Sequence, residues 1–371
     1  MTYEMTILSK QRRARTHSLI RLVLAFGFIV GVMFFMNSKV EGLSNGLFLV
    51  VAAMVGAYMA INIGANDVAN NVGATVGSGA ITLTGALFLA GIFEASGALL
   101  AGGDVVGTIK KGIIDPDLIS DPNTFIWLMM AALMAAALWL NLATAIGAPV
   151  STTHSIVGGV LGAGIAAGGM GIANWTTMAQ IAASWVISPV MGGVVAAIFL
   201  YVIKRQITYK TDKVAATGKV VPILIGIMAW AFGAYLMKKG LGKLWKIDLL
   251  TALGLGLIIG GVVYALVKPM IGRVCETLSN DKDGVNSVFT MPLVCAAALL
   301  AFAHGANDVA NAVGPLAAIN DSIQLGGIVT KASVPLWVMM IGALGIVVGL
   351  ALYGPRLIKT VGTEITELDK T

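Results

Sequence analysis

Long apolar runs separated by short polar ones set the rhythm of this chain. Nine runs reach membrane-spanning length, near residues 18–36, 46–65, 81–103, 125–146, 175–203, 220–237, 249–267, 291–305 and 333–354. Each matches the roughly 20 residues that carry a helix across a hydrocarbon core. Helices that are apolar all round have no face to turn to water, so a soluble all-helical core does not fit this pattern. A tenth segment, 149–173, is dense in glycine, alanine and serine. Its small residues predict a helical hairpin or a closely packed broken helix rather than a lipid-facing span.

The strongest organisational signal is a repeat. Residues 64–70 read GANDVAN, and residues 305–311 read GANDVAN again. Each copy ends an apolar run and is followed within about 40 residues by another, so a duplicated bundle is the economical reading. The fold class expected is an all-α polytopic membrane protein, an inverted-repeat helical bundle with a broken-helix or re-entrant hairpin. Its divisions are an N-terminal segment with an extra span (1–45), a first half (46–267), an inter-half loop (268–290) and a second half (291–371). An inverted repeat needs an odd number of crossings from the start of the first motif-bearing span to the start of the second. Counting 149–173 as a crossing supplies it, and also puts the basic 204–219 loop on the N-terminal side.

Composition sharpens the membrane reading. With 57% hydrophobic and 11% charged residues, the chain cannot cover itself with polar surface. Its formal charge of +6 would suggest nucleic acid in a soluble protein. Here Lys and Arg cluster between apolar runs (Arg12, Arg13, Arg15; Lys204, Arg205, Lys210, Lys213, Lys219), as the cytoplasmic-loop bias of membrane proteins predicts. No basic face interleaved with aromatics is present, so nucleic acid is not an expected partner. Cys275 and Cys295 are too few for a disulfide framework and lack metal-ligand spacing. The first run is followed by Asn37, Ser38, Lys39, Val40 and Glu41, with no small-residue cleavage site. An uncleaved first span with a cytoplasmic N-terminus follows, in a multi-pass protein of the cell (inner) membrane, with a homo-oligomer left open.

Polar residues inside the apolar runs carry the chemistry. Ionisable groups at membrane depth are costly unless satisfied, which makes Asp67 and Asp308 functional candidates. Asn66 and Asn70, like Asn307 and Asn311, lie four apart and share a helical face beside the Asp. Carboxylate and amide oxygens converging in this way suit a hard cation such as Na⁺, or a proton on the Asp. The alternative is hydrogen-bond glue between helices or helix capping, against which the duplication of the motif weighs. Pro149, Ser151, Thr152 and Thr153, in the segment GAPVSTTH at 147–154, open the glycine-rich stretch. A helix that starts inside the membrane directs backbone N–H groups and a positive dipole end at an anion. Glu94, in mid-span, is a further coupling-ion candidate. His154 and His304 each flank a motif, and hydrogen-bonding roles are expected of both.

An enzyme is not expected. Ser151 and His154 sit on one turn without a nucleophile elbow or an oxyanion loop. Without a Walker loop, transport would be secondary rather than ATP-driven, and no cofactor or metal beyond Na⁺ is called for.

The repeated GANDVAN, the GAPVSTTH segment and the stretch GDVVGTIKKGI at 103–113 together resemble the inorganic phosphate transporter (PiT) family of bacteria, archaea and eukaryotes. That resemblance runs from about residue 46 onward. It implies phosphate import coupled to Na⁺ or H⁺, an inverted repeat, and a site where the Asn-Asp segments meet Ser-Thr-Thr hairpins. Carried onto this chain, it implies phosphate-binding roles for Ser151, Thr152, Thr153, Asn70 and Asn311. Coupling-ion roles fall to Asn66, Asp67, Asn307, Asp308 and Glu94. Arsenate, a near isostere, is expected to enter as well. A channel or scaffold in which the motifs line a pore or pack helices is the alternative. Two departures stand out: no second PVSTTH segment follows Asn311, so an incomplete second half is expected, and Ala74 stands where the second copy has Pro315.

Overall fold

The structure is a computed structural model, and it describes residues 2–43, 45–104, 112–119, 121–240, 247–328, 334–364 and 370. Residues 105–111 of the family-like stretch 103–113 lie outside the described residues, as do the side chains of Arg12, Arg13 and Arg15. Eleven α-helices follow in order among those described: α1 (Thr2–Asn37), α2 (Gly46–Asn66), α3 (Ala69–Gly77), α4 (Leu83–Ala101), α5 (Pro122–Ile146), α6 (Thr152–Gly168), α7 (Trp175–Ile203), α8 (Lys213–Lys239), α9 (Leu249–Cys275), α10 (Lys282–Leu325) and α11 (Leu336–Lys359). Nine stretches of helix among the described residues are long and apolar enough to cross a membrane. The fold is therefore an all-helical polytopic membrane bundle.

Helix ends follow local chemistry. Pro122 supplies a preset φ in the first turn of α5, and the Asp121 carboxylate accepts the Asn123 and Thr124 amides, both at 3.1 Å. At the far end Gly147 adopts φ +80°, where a side chain would be strained, and closes the helix on the Ala143 and Thr144 carbonyls. The chain then turns back through 148–151 into α6. At 17 residues, roughly 26 Å, α6 sits at the lower end of spanning length, so 149–173 holds a short helix that turns back from the end of α5. Pro149 lies two residues before the Ser151 cap, outside the first helical turn.

The expected inter-half loop at 268–290 is largely absent. Helix α9 runs on to Cys275 and α10 begins at Lys282, because the segment between them needs only the turn at Ser279 and Asp281, whose carboxylate caps Gly284. The run at 291–305 is likewise part of a longer helix, the 44-residue α10.

Packing divides the chain into two compact units. One unit comprises Met1–Asn70, Gly91–Asn174 and His304–Ile358, and so gathers α1, α2, α5, α6, α11 and the later half of α10 around both GANDVAN motifs. Within it, α2 and α11 cross at glycines: a Cβ on Gly64 would run into the Ile346 backbone, and one on Gly349 into that of Ile61. Gly305 meets the Glu94 backbone in the same manner. Such contacts bring helix backbones together where no apolar driving force between helices operates. The other unit comprises Asn71–Ala90, Trp175–Ala303 and Lys359–Thr371, with an apolar cluster of Ile207, Val221, Val285, Val288 and Phe289.

Candidate functional site

The two motif copies fold differently. In the first, α2 ends at Asn66, and Asp67 and Val68 form a turn before α3. In the second, the same seven residues run unbroken inside α10. Asn66 accounts for the break. Fully buried, its Nδ2 donates to Thr144 Oγ1 and the Ala148 carbonyl, both at 3.0 Å, and its Oδ1 accepts the Val150 amide at 2.9 Å. Every hydrogen-bonding group of that side chain is thus spent on the end of α5 and the 148–151 turn. Asn307, its counterpart, is exposed. The divergence expected from Ala74 and Pro315 therefore arises earlier, at the motif itself. Pro315 sits inside the continuous helix, where its missing N–H leaves the Asn311 carbonyl without its usual partner.

Pinning that turn sets the head of α6 against both aspartates. Thr152, fully buried, holds its Oγ1 2.9 Å from Asp67 Oδ2 and 2.8 Å from Asp308 Oδ2. The same oxygen accepts from Asn311 Nδ2 at 3.1 Å, and the second Asn311 hydrogen goes to Thr153 Oγ1, also at 3.1 Å. Asn70 Nδ2 donates to Asp67 Oδ1 at 2.8 Å. Ser151 caps α6 by accepting the His154 amide at 3.2 Å. Carboxylates at a helix N-terminus are favourably placed relative to its dipole.

His304 completes the cluster. Its Nδ1 faces both Glu94 oxygens at 2.9 Å, and its Nε2 lies 3.6 Å from Asp67 Oδ2 and 3.4 Å from Asp308 Oδ2 without a hydrogen bond to either. Glu94 is fully buried, and both aspartates are partly buried. The helical spacing of His304 and Asp308, four apart, is the sequence signal for their contact. Nothing in the sequence announces that Glu94 meets them.

Of the ten residues expected at a site, the structure gathers Asp67, Asp308, Glu94, Thr152, Thr153, Asn70 and Asn311 around one point. Ser151 and Asn66 hold the turn beside it. Asn307 points away into the open, because an unbroken helix carries it off the buried face.

Three carboxyl groups thus surround one imidazole. Asp67, His304 and Asp308 each offer a ligand atom within 4.8 Å of the others. Two unscreened carboxylates at that separation repel by about 3 kcal/mol at an effective dielectric constant near 20. A cation, or a proton shared between the two acids, relieves that repulsion.

The model of the phosphate transporter family matches residues 63–371. The chain belongs to the phosphate transporter family. A candidate phosphate permease from Helicobacter pylori is 50% identical to this family member over 356 residues, which cover 95% of this chain and 66% of the relative. Inorganic phosphate transporter 2-1 of Arabidopsis thaliana chloroplasts is 35% identical over 384 residues, covering 95% of this chain and 64% of its own. The chain thus spans about two thirds of the length of these curated relatives. Among solved structures, the sodium-dependent phosphate transporter superposes with a TM-score of 0.81 at 33% identity, over 87% of this chain and 80% of that one.

Proposed function

We propose that this phosphate transporter family member imports inorganic phosphate by coupling it to Na⁺, with Asp67 and Asp308 from the two motif copies sharing one cation. The observation that carries this reading is the single Thr152 hydroxyl between two carboxylates. A hydroxyl has one proton and can satisfy only one of two acceptors, so the other oxygen lacks a donor. A hard cation among these oxygens removes that deficit together with the repulsion. The sodium dependence named for the similar solved structure favours Na⁺ over H⁺.

Phosphate then belongs on the accessible side, at Ser151, Thr153 and Asn70. Because Asn311 donates to Thr153 Oγ1, the Thr153 proton is available to an anion. Thr152 and Asn311, expected to touch phosphate, act instead as positioning groups. Glu94 holds the His304 ring against the aspartates, and Asn66 fixes the turn. Arsenate enters the same site. The protein resides in the cell (inner) membrane with a cytoplasmic N-terminus, and its motif-bearing spans form an inverted repeat.

Phosphate uptake by the full chain in proteoliposomes tests the reading. An inward Na⁺ gradient should drive uphill uptake in the wild type, while Asp67→Asn and Asp308→Asn should insert normally and accumulate nothing. Uptake driven equally by a K⁺ or a proton gradient would contradict it.

A further inference from the structure

Apart from the carboxylate cluster, the motif-bearing unit has a second feature, a partly open cavity of about 600 Å³ among α1, α2, α5 and α11, whose α1 wall includes the exposed Arg21, Leu22 and Phe26. Arg21 of α1 and Arg356 of α11 both line it, and no carboxylate does. Tyr58, Tyr353 and Asn141 add polar groups. Arg356 Nη1 donates to the Ala145 carbonyl at 2.8 Å, whereas Arg21 has no ion-pair partner among the described residues. Two guanidinium groups lining one cavity that no carboxylate lines suit an anion.

The walls narrow the chemistry. Along α1 the lining residues are Ser18, Arg21, Leu22, Ala25, Phe26 and Ile29, a single helical stripe that is polar at its start and apolar beyond. Both arginines lie near the ends of their spans, Ser18–Asn37 and Leu336–Gly362, where lipid headgroups reside. A free phosphate, with five heavy atoms and no apolar part, would leave most of the cavity and its apolar stripe bare. A headgroup with the start of an acyl chain suits both the volume and the polarity gradient. Basic pockets between membrane helices are a recurrent way of holding such groups.

We infer that this cavity binds an anionic phospholipid, its phosphate between Arg21 and Arg356 and an acyl chain along Leu22, Phe26 and Ile29 of α1. Arginine suits the role, since its planar fork pairs with phosphate oxygens. The lipid would also adjoin the site turn. Arg356 is tied to Ala145, and a Cβ added at Gly147 would lie 3.6 Å from its Nε.

Native mass spectrometry of the full chain, titrated in neutral detergent with phosphatidylglycerol or phosphatidylcholine, provides the test. Phosphatidylglycerol should be retained preferentially, and Arg21→Gln should raise its half-saturating concentration about tenfold or more. Arg356→Lys, which keeps a charge, should weaken binding less than Arg21→Gln does. Arg273→Gln, an exposed change on α9, should leave it unaltered. Arg21→Gln is the decisive variant because Arg21 makes no ion pair among the described residues. Equal retention of phosphatidylcholine, or unchanged binding by Arg21→Gln, would overturn the inference. Displacement of the lipid by millimolar inorganic phosphate would overturn it too, and would assign the cavity to the free anion.

Discussion

At the scale of single residues, Thr152 and Asn66 explain most of the candidate site. Thr152 brings one hydroxyl to two carboxylates, and in the proposed function it positions both for a shared cation. Thr152→Val keeps the shape and removes that hydroxyl, and the half-saturating Na⁺ concentration for uptake should rise about tenfold or more; Thr152→Ser should stay near wild type. An unchanged Na⁺ dependence in the valine variant would remove Thr152 from the cation site. Sequence reading treats Asn66 and Asn307 as equivalents, because they occupy the same place in identical heptapeptides. Tertiary partners separate them: Asn66 is bonded to Thr144, Ala148 and Val150, while Asn307 is exposed. Asn66→Ala leaves buried groups unsatisfied and should cost about 2–4 kcal/mol, against less than about 0.5 for Asn307→Ala. Thermal unfolding of the two purified variants would show it, and equal losses would contradict the different roles.

At the scale of elements, the apolar runs were legible and their ends were not. Spanning length is written into hydropathy, which is why the runs at 46–65 and 125–146 reappear as α2 and α5. Where a helix continues past the apolar zone, as α9 and α10 do around 268–290, hydropathy is silent and the expected loop gives way to helix. Glycine abundance predicted close helix approach without saying where. The structure locates it at the crossing of α2 and α11, where Gly64 and Gly349 each face the other helix's backbone. Gly349→Ala should force that crossing apart at a cost of about 1–3 kcal/mol or more. Gly192→Ala on α7, with open space around it, should be neutral or slightly stabilising. Detergent-solubilised thermal stability distinguishes them, and a tolerated Gly349→Ala would refute the tight crossing.

At the scale of the molecule, the two GANDVAN copies stand far apart in sequence yet fall in one compact unit, where the head of α6 meets both aspartates. The repeat made that convergence foreseeable. The approach of Glu94 to His304 was not, because it joins two helices whose contact no periodicity records. The account depends on one claim, that Asp67 and Asp308 hold a single Na⁺ between them. Equilibrium binding of radiolabelled sodium to the purified full chain tests it most directly. The wild type should bind Na⁺ in competition with unlabelled Na⁺ but not K⁺, Asp67→Asn and Asp308→Asn should each lose that binding, and Asn307→Ala should retain it. Wild-type sodium affinity in either aspartate variant would contradict the account.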